Sequence, residues 1–151
     1  MEVTSIRAIA IAIAIPIAIA IDTNAYSAFK RGRPDVVEVL RHAPDILLST
    51  IVLGELLAGF AAGTREAANR RELKLFLDSP RVRLVQCGAV TADRYALVYS
   101  ALRKQGQPIP TNDLWIAASC LEHGCALLTL DSHFAHVGGL RVGSRLDDFL
   151  L

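Results

Sequence analysis

Four carboxylates stand at positions where an acidic site could be assembled. Asp22 follows an alternating apolar run that ends at Ile21, and Glu55 interrupts the apolar stretch IVLGELL. Asp113 sits near the start of TNDLWIAAS, and Asp131 follows the apolar run ALLTL. Taken singly, three of them have purely structural explanations. Asp22 can cap a following helix, Asp113 can favour a helix dipole, and Asp131 can close a turn through its side chain. Glu55 is harder to dismiss, because an ionised carboxylate among apolar neighbours requires a partner. Four such groups gathered in one place repel one another, and a divalent cation is the economical way to hold them together. The donors are all oxygens, with no Cys or His at metal-ligand spacing, so the set selects Mg²⁺ or Mn²⁺ over Zn²⁺. Mg²⁺ keeps several waters and is usually shared with substrate phosphate. An acidic pocket of this kind therefore suits phosphodiester hydrolysis, the cation activating water and stabilising the leaving oxygen.

Gathering these groups requires strands that end together. The expected order begins with a strand at Ile17–Ile21, a short helix stopping near Gly32, and a helix from Pro34 to about His42. A buried strand at Ile46–Leu48 follows, then a helix capped by Ser49 or Thr50 and ending at Gly63, and a charged helix over Arg65–Leu77. Val82–Val85 reads as the third strand. Thr91 is expected to cap a helix running to about Gln105, and GQPIP reads as a loop. Thr111 or Asn112 is expected to cap the helix bearing Asp113, with Gly124 as its stop. Ala126–Thr129 is the fourth strand and Leu140–Val142 a short fifth. Strands alternating with helices imply a parallel sheet covered on both faces, and such sheets bind ligands beyond the carboxyl ends of their strands. All four carboxylates fall at or near that end.

The 151 residues suffice for one domain with a sizeable core, built mainly of Ala, Ile, Leu and Val. Three cysteines, Cys87, Cys120 and Cys125, give an odd count without CxxC spacing. That argues against a disulfide framework or a zinc site and for a cytoplasmic setting. A formal net charge of +1 carries no strong basic signature. Cations bound to the acids would unmask a basic surplus. The alternating run Ala8–Ile21 is too short to span a bilayer. Ala18 and Ala20 mimic a signal-cleavage site, but cleavage there would remove the strand that presents Asp22. Alternation with a β-branched residue at every second place suits a strand, which should begin at or after Pro16. The expected division is a low-complexity extension over residues 1–15 and a single domain over 16–151, with no membrane association.

Read together, IDTNAY at Ile21–Tyr26, STIVLGELLAG at Ser49–Gly59, NDLWIAA at Asn112–Ala118 and TLDSHF at Thr129–Phe134 resemble the PIN domain, specifically VapC-like toxins, from Ile17 onward. The resemblance implies a three-layer α/β/α sandwich around a short, mainly parallel sheet, and metal-dependent endoribonuclease activity. It implies catalytic and metal-ligating roles for Asp22, Glu55, Asp113 and Asp131. Asp22 and Asp113 would be the most direct ligands, and Glu55 would ligate either directly or through water. Thr23, Asn24, Asn112 and Thr129 would orient the carboxylates. The partners implied are an RNA substrate, a VapB-like antitoxin and a second copy of the chain.

Lys30, Arg31 and Arg33 follow the first expected helix, and Arg103 and Lys104 precede GQPIP. Each is a candidate for RNA phosphates or a solvated loop residue. His133 and His136 read as surface or packing residues. The apolar helix after Ser49 and the charged helix after it are candidate contact surfaces. A phospho-accepting signalling receiver would need a lysine after a late strand, and no Lys follows Lys104. A housekeeping nuclease of the same fold, or an inactive binding module, are the remaining alternatives.

Overall fold

The computed structural model describes residues 14–150, so most of the expected low-complexity extension lies outside the described residues. Five strands, β1 (Ile19–Ile21), β2 (Ile46–Ser49), β3 (Val82–Val85), β4 (Ala126–Leu128) and β5 (Val142–Gly143), are joined by six α-helices. These are α1 (Thr23–Lys30), α2 (Pro34–His42), α3 (Thr50–Ala62), α4 (Glu66–Leu77), α5 (Ala89–Lys104) and α6 (Thr111–His123). The strands form one parallel sheet in the order β3-β2-β1-β4-β5. Every residue of β1, β2 and β4 is buried. That is the signature of strands covered on both faces, and it explains why they read as unbroken apolar runs. The architecture is the expected α/β/α sandwich with a parallel sheet.

Register fixes where the site forms. Ile19, Ala20 and Ile21 of β1 lie opposite Ala126, Leu127 and Leu128 of β4, so the two strands end level. On the other side Ile19 lies opposite Ile46 of β2. Ser49 ends β2 and caps α3, its hydroxyl accepting the Val52 N–H at 3.3 Å. Pro34 opens α2, where its missing N–H costs nothing. Gly124 ends α6 in the left-handed conformation at φ 63°, which favours a residue without Cβ.

Several local expectations are corrected. Pairing of β1 starts at Ile19 rather than Ile17, because the chain bends at Pro16 and Ile17. Ile15, before the proline, is nonetheless buried, and its N–H donates to His42 O at 3.1 Å. Thr91 is not the N-cap of α5, which is Gly88, but closes that end from inside the helix. It is the third helical residue, where its hydroxyl accepts the Gly88 N–H at 2.9 Å and donates to Glu122 Oε2 at 2.7 Å. Thr111 and Asn112 lie inside α6, with Pro110 before them and no side-chain cap. The fifth strand is Val142–Gly143 rather than Leu140–Val142. Two 3₁₀ turns, Ser132–His136 and Leu146–Phe149, were not expected, since a single turn leaves no periodicity to read. Cys120 and Cys125 are buried, and the three cysteines are free. Among the described residues no helix is long and apolar enough to cross a membrane.

Candidate active site

The sheet reverses its direction of growth between β1 and β4, with β2 and β3 on one side and β5 on the other. A parallel sheet opens a crevice at the carboxyl ends of the strands flanking such a reversal. Asp22 follows β1 directly, while Thr129 and Asp131 follow β4. α3 brings Glu55 to the same place, and the first turn of α6 brings Asp113. All four carboxylates line one cleft of about 400 Å³, together with Thr23, Asn24 and Arg31.

The structural and chemical readings of these acids coincide. Asp22 caps α1, its Oδ1 accepting the Ala25 N–H at 2.9 Å, while its Oδ2 accepts the Thr129 hydroxyl. Thr129 Oγ in turn accepts the Asp131 N–H at 3.0 Å, so one threonine ties two of the acids together. Asp131 caps the 3₁₀ turn after β4 by accepting the His133 N–H at 2.9 Å. Glu55 receives the Thr23 hydroxyl at 2.8 Å on one oxygen and the Asn112 amide at 3.4 Å on the other. The Asn24 amide oxygen accepts the Leu130 N–H at 3.1 Å, stitching the loop after β1 to the loop after β4. Thr23, Asn112 and Thr129 thus touch the acids directly, whereas Asn24 braces the backbone that carries them.

Electrostatic strain is concentrated on Asp22, which is only 4% exposed. Burial pushes its carboxyl from 3.8 up to about 6, against the pull of the Thr129 and Ala25 hydrogen bonds, and Asp113 and Asp131 push it further. Burial also raises Asp113, with the His133 ring opposing and Asp131 and Glu55 adding to the shift. His133, read from sequence as a surface or packing residue, belongs to this cluster. Its Nδ1 lies 2.8 Å from Asp113 Oδ2 and 3.2 Å from Asp131 Oδ1, and the bond to Asp113 raises its pKa. The 3₁₀ turn folds His133 back toward the aspartate two residues earlier, and that turn was the missed signal. Among the described residues, His133 is the sole cationic partner within ion-pair distance of these four acids.

A buried Asp22 and a half-buried Asp113 whose charges are unfavourable, gathered on one cleft with Glu55 and Asp131 by hydroxyl and amide donors, fit a hard divalent cation. The cation would reverse the desolvation penalty and the mutual repulsion. Asp113 and Asp131 bring carboxylate oxygens within 4.8 Å of each other, and the His133 ring nitrogen sits against both, where a protonated ring stands in for the cation's charge. The basic candidates separate. Arg31 lines the acidic cleft and Arg33 an adjoining one. Lys30 pairs with Glu72 at 3.5 Å. Arg103 donates to Tyr99 Oη at 2.8 Å, and neither it nor Lys104 lines the cleft.

Residues 19–140 match the PIN domain family. The chain is 30% identical over 112 residues to Ribonuclease VapC4 of Mycobacterium tuberculosis, covering 70% of this chain and 86% of that protein. It is 32% identical over 126 residues to Ribonuclease VapC1 of Rickettsia felis, covering 81% and 92%. VapBC-1 of nontypeable Haemophilus influenzae superposes with a TM-score of 0.72 at 26% identity, over 84% of this chain and 97% of that one. VapBC2 of Rickettsia felis, solved with a fragment of its promoter DNA, shares the fold at a TM-score of 0.75 and 24% identity, over 84% and 98%.

Proposed function

This chain belongs to the PIN domain family, among its VapC-like members, and on that premise we propose that it is a metal-dependent endoribonuclease, the toxin of a VapBC-type pair. The observation that carries the reading is the convergence of Asp22, Glu55, Asp113 and Asp131 on a single cleft. Asp22 and Asp113 would hold the cation, Mg²⁺ or Mn²⁺, with Glu55 and Asp131 completing the acidic set around it. A cation bound there supplies Lewis-acid polarisation of the scissile phosphate and offsets its negative charge.

The rest of the chemistry belongs to the chain's own groups. Thr129 and the Ala25 N–H fix the Asp22 carboxylate, and Thr23 and Asn112 fix Glu55, so the set is oriented before substrate arrives. His133 holds a proton at Nδ1 against Asp113 and balances the acids' charge when the cation is away. Arg31 supplies positive charge at the cleft wall.

A VapB-like antitoxin is the proposed partner, in keeping with the VapBC complexes that this fold resembles. A homodimer is also proposed. On the apolar helix α3 Val52 and Leu56 are fully buried, while Ile51, Leu53, Leu57 and Phe60 are only partly covered by the chain's own core and leave apolar surface for a partner. The proposed setting is the cytoplasm, and residues 16–151 are the proposed nuclease unit.

The test is cleavage of a mixed RNA by purified wild type and Asp113→Asn, in Mg²⁺ and in EDTA. Cleavage that requires both Mg²⁺ and Asp113 is expected. Full activity in EDTA or in Asp113→Asn would sink the mechanism.

A further inference from the structure

We propose that Arg31, Gly32 and Arg33 form a phosphate clamp that seats an RNA strand across two adjoining clefts, Arg33 holding a phosphate next to the one being cut. The inference rests on the nuclease reading of the acidic cleft. A second cleft of about 370 Å³ adjoins the first and shares Asp131 with it. Its walls include Arg33, Ser132 and Ser144, a cation and two hydroxyls of the kind that contact nucleic-acid phosphates and ribose. Its other carboxylate, Asp148, is engaged at Oδ2 by the N–H groups of Ser144 at 2.9 Å and Arg145 at 3.1 Å. That acid is therefore partly neutralised by backbone dipoles.

The turn between α1 and α2 divides the two arginines between the two clefts. Gly32 adopts φ 75°, the left-handed region that a side chain disfavours, so the chain reverses within a single residue. Three backbone bonds hold the reversal: Arg31 N–H to Ser27 O at 3.0 Å, Gly32 N–H to Phe29 O at 2.9 Å, and Arg33 N–H to Ala28 O at 3.0 Å. Pro34 then locks the start of α2. Arg31 faces the acidic cleft and Arg33 the second one. The ion pairs of the described residues occupy Lys30 and Arg83 but neither Arg31 nor Arg33. A polyanion entering a cleft of four carboxylates needs cations on its flanks, and this turn supplies one to each of the two clefts that share Asp131.

The experiment is steady-state cleavage of a 20-nucleotide single-stranded RNA of mixed sequence in Mg²⁺, at KCl from about 0.05 to 0.2 M. It compares wild type, Arg33→Ala, Arg33→Lys and Arg65→Ala, the last an exposed arginine before α4. Arg33 makes no side-chain cap bond, so the alanine variant leaves the fold intact. Losing one phosphate contact should raise KM with kcat kept. It should also shallow the slope of log(kcat/KM) against log[salt] by about 0.7. Across that fourfold range of salt, the wild-type advantage over Arg33→Ala should shrink about 2.6-fold by the same slope. Arg33→Lys should keep the wild-type slope, and Arg65→Ala should match wild type. If wild type cleaves and Arg33→Ala keeps the wild-type KM and slope, the clamp is refuted and the nuclease reading stands. A wild-type protein that cleaves nothing overturns both.

Discussion

Replacing Asp22 by asparagine should stabilise the metal-free fold at neutral and alkaline pH while removing the chemistry. The Asp22 carboxyl rises from 3.8 to about 6 on folding, so the folded chain holds this proton more tightly than the unfolded chain does. Its contribution to stability is therefore most favourable below about pH 4 and is lost as pH rises toward 6. The loss runs on through pH 6, where half of the folded carboxyl is ionised, and levels off about one pH unit higher. The displacement corresponds to a full deficit of about 3 kcal/mol. Asparagine buries no charge but leaves the Thr129 hydroxyl without its acceptor, a loss of about 1 kcal/mol. The net gain at pH 8 in EDTA is about 2 kcal/mol. At 2–4 °C for each kcal/mol in a chain of this size, that is roughly 4–8 °C in Tm. At pH 4, where wild-type Asp22 is largely protonated, the two proteins should agree within about 1 kcal/mol. Urea and thermal unfolding followed by circular dichroism, at pH 4 and pH 8, read both numbers. Added Mg²⁺ should stabilise only the wild type and close the gap. A variant no more stable than wild type at pH 8, or a difference equal at both pH values, would refute the buried-charge reasoning.

Three further outcomes are expected. Glu55→Gln removes the charge and, while its remaining oxygen still accepts from one of Thr23 and Asn112, turns an amide N–H₂ toward the other, so Mn²⁺ affinity should fall at least about 10-fold by calorimetric titration. His133→Ala removes the ring whose raised pKa keeps it protonated against Asp113, so Mn²⁺ should bind more tightly than to wild type near pH 6 and with less change at pH 8. An unchanged pH dependence would dismiss that role. Leu127→Ala opens a cavity in β4, where Leu127 is fully buried, and should cost about 2–5 kcal/mol in urea unfolding with Mn²⁺ affinity retained in the folded protein.

The sheet was legible wherever strands are buried on both faces. Ile46–Leu48 and Ala126–Leu128 read as short unbroken apolar runs, and Asp22 and Asp131 could be placed because each follows such a run. Their capping roles were legible too, since capping is local chemistry. Three-dimensional pairings were not. Thr129 reaches across 107 residues to Asp22, and Thr91, besides bonding back to the Gly88 N–H of its own helix, meets Glu122. His133 escaped because its importance comes from a one-turn 3₁₀ segment that carries no repeat to detect. The two arginines on either side of Gly32 looked like one basic loop, and a single left-handed residue separates them into two clefts.

The claim on which everything else depends is that four carboxylates from separate parts of the chain make one cation site. Titration of the wild-type protein with Mn²⁺ at pH 7.5, followed by calorimetry and by the loss of the free-ion paramagnetic signal, measures it directly. Saturable binding to wild type that is lost in Asp22→Asn and in Asp113→Asn, both still folded, is the predicted result. Binding undiminished in both variants would place the cation elsewhere and contradict the assignment of this cleft.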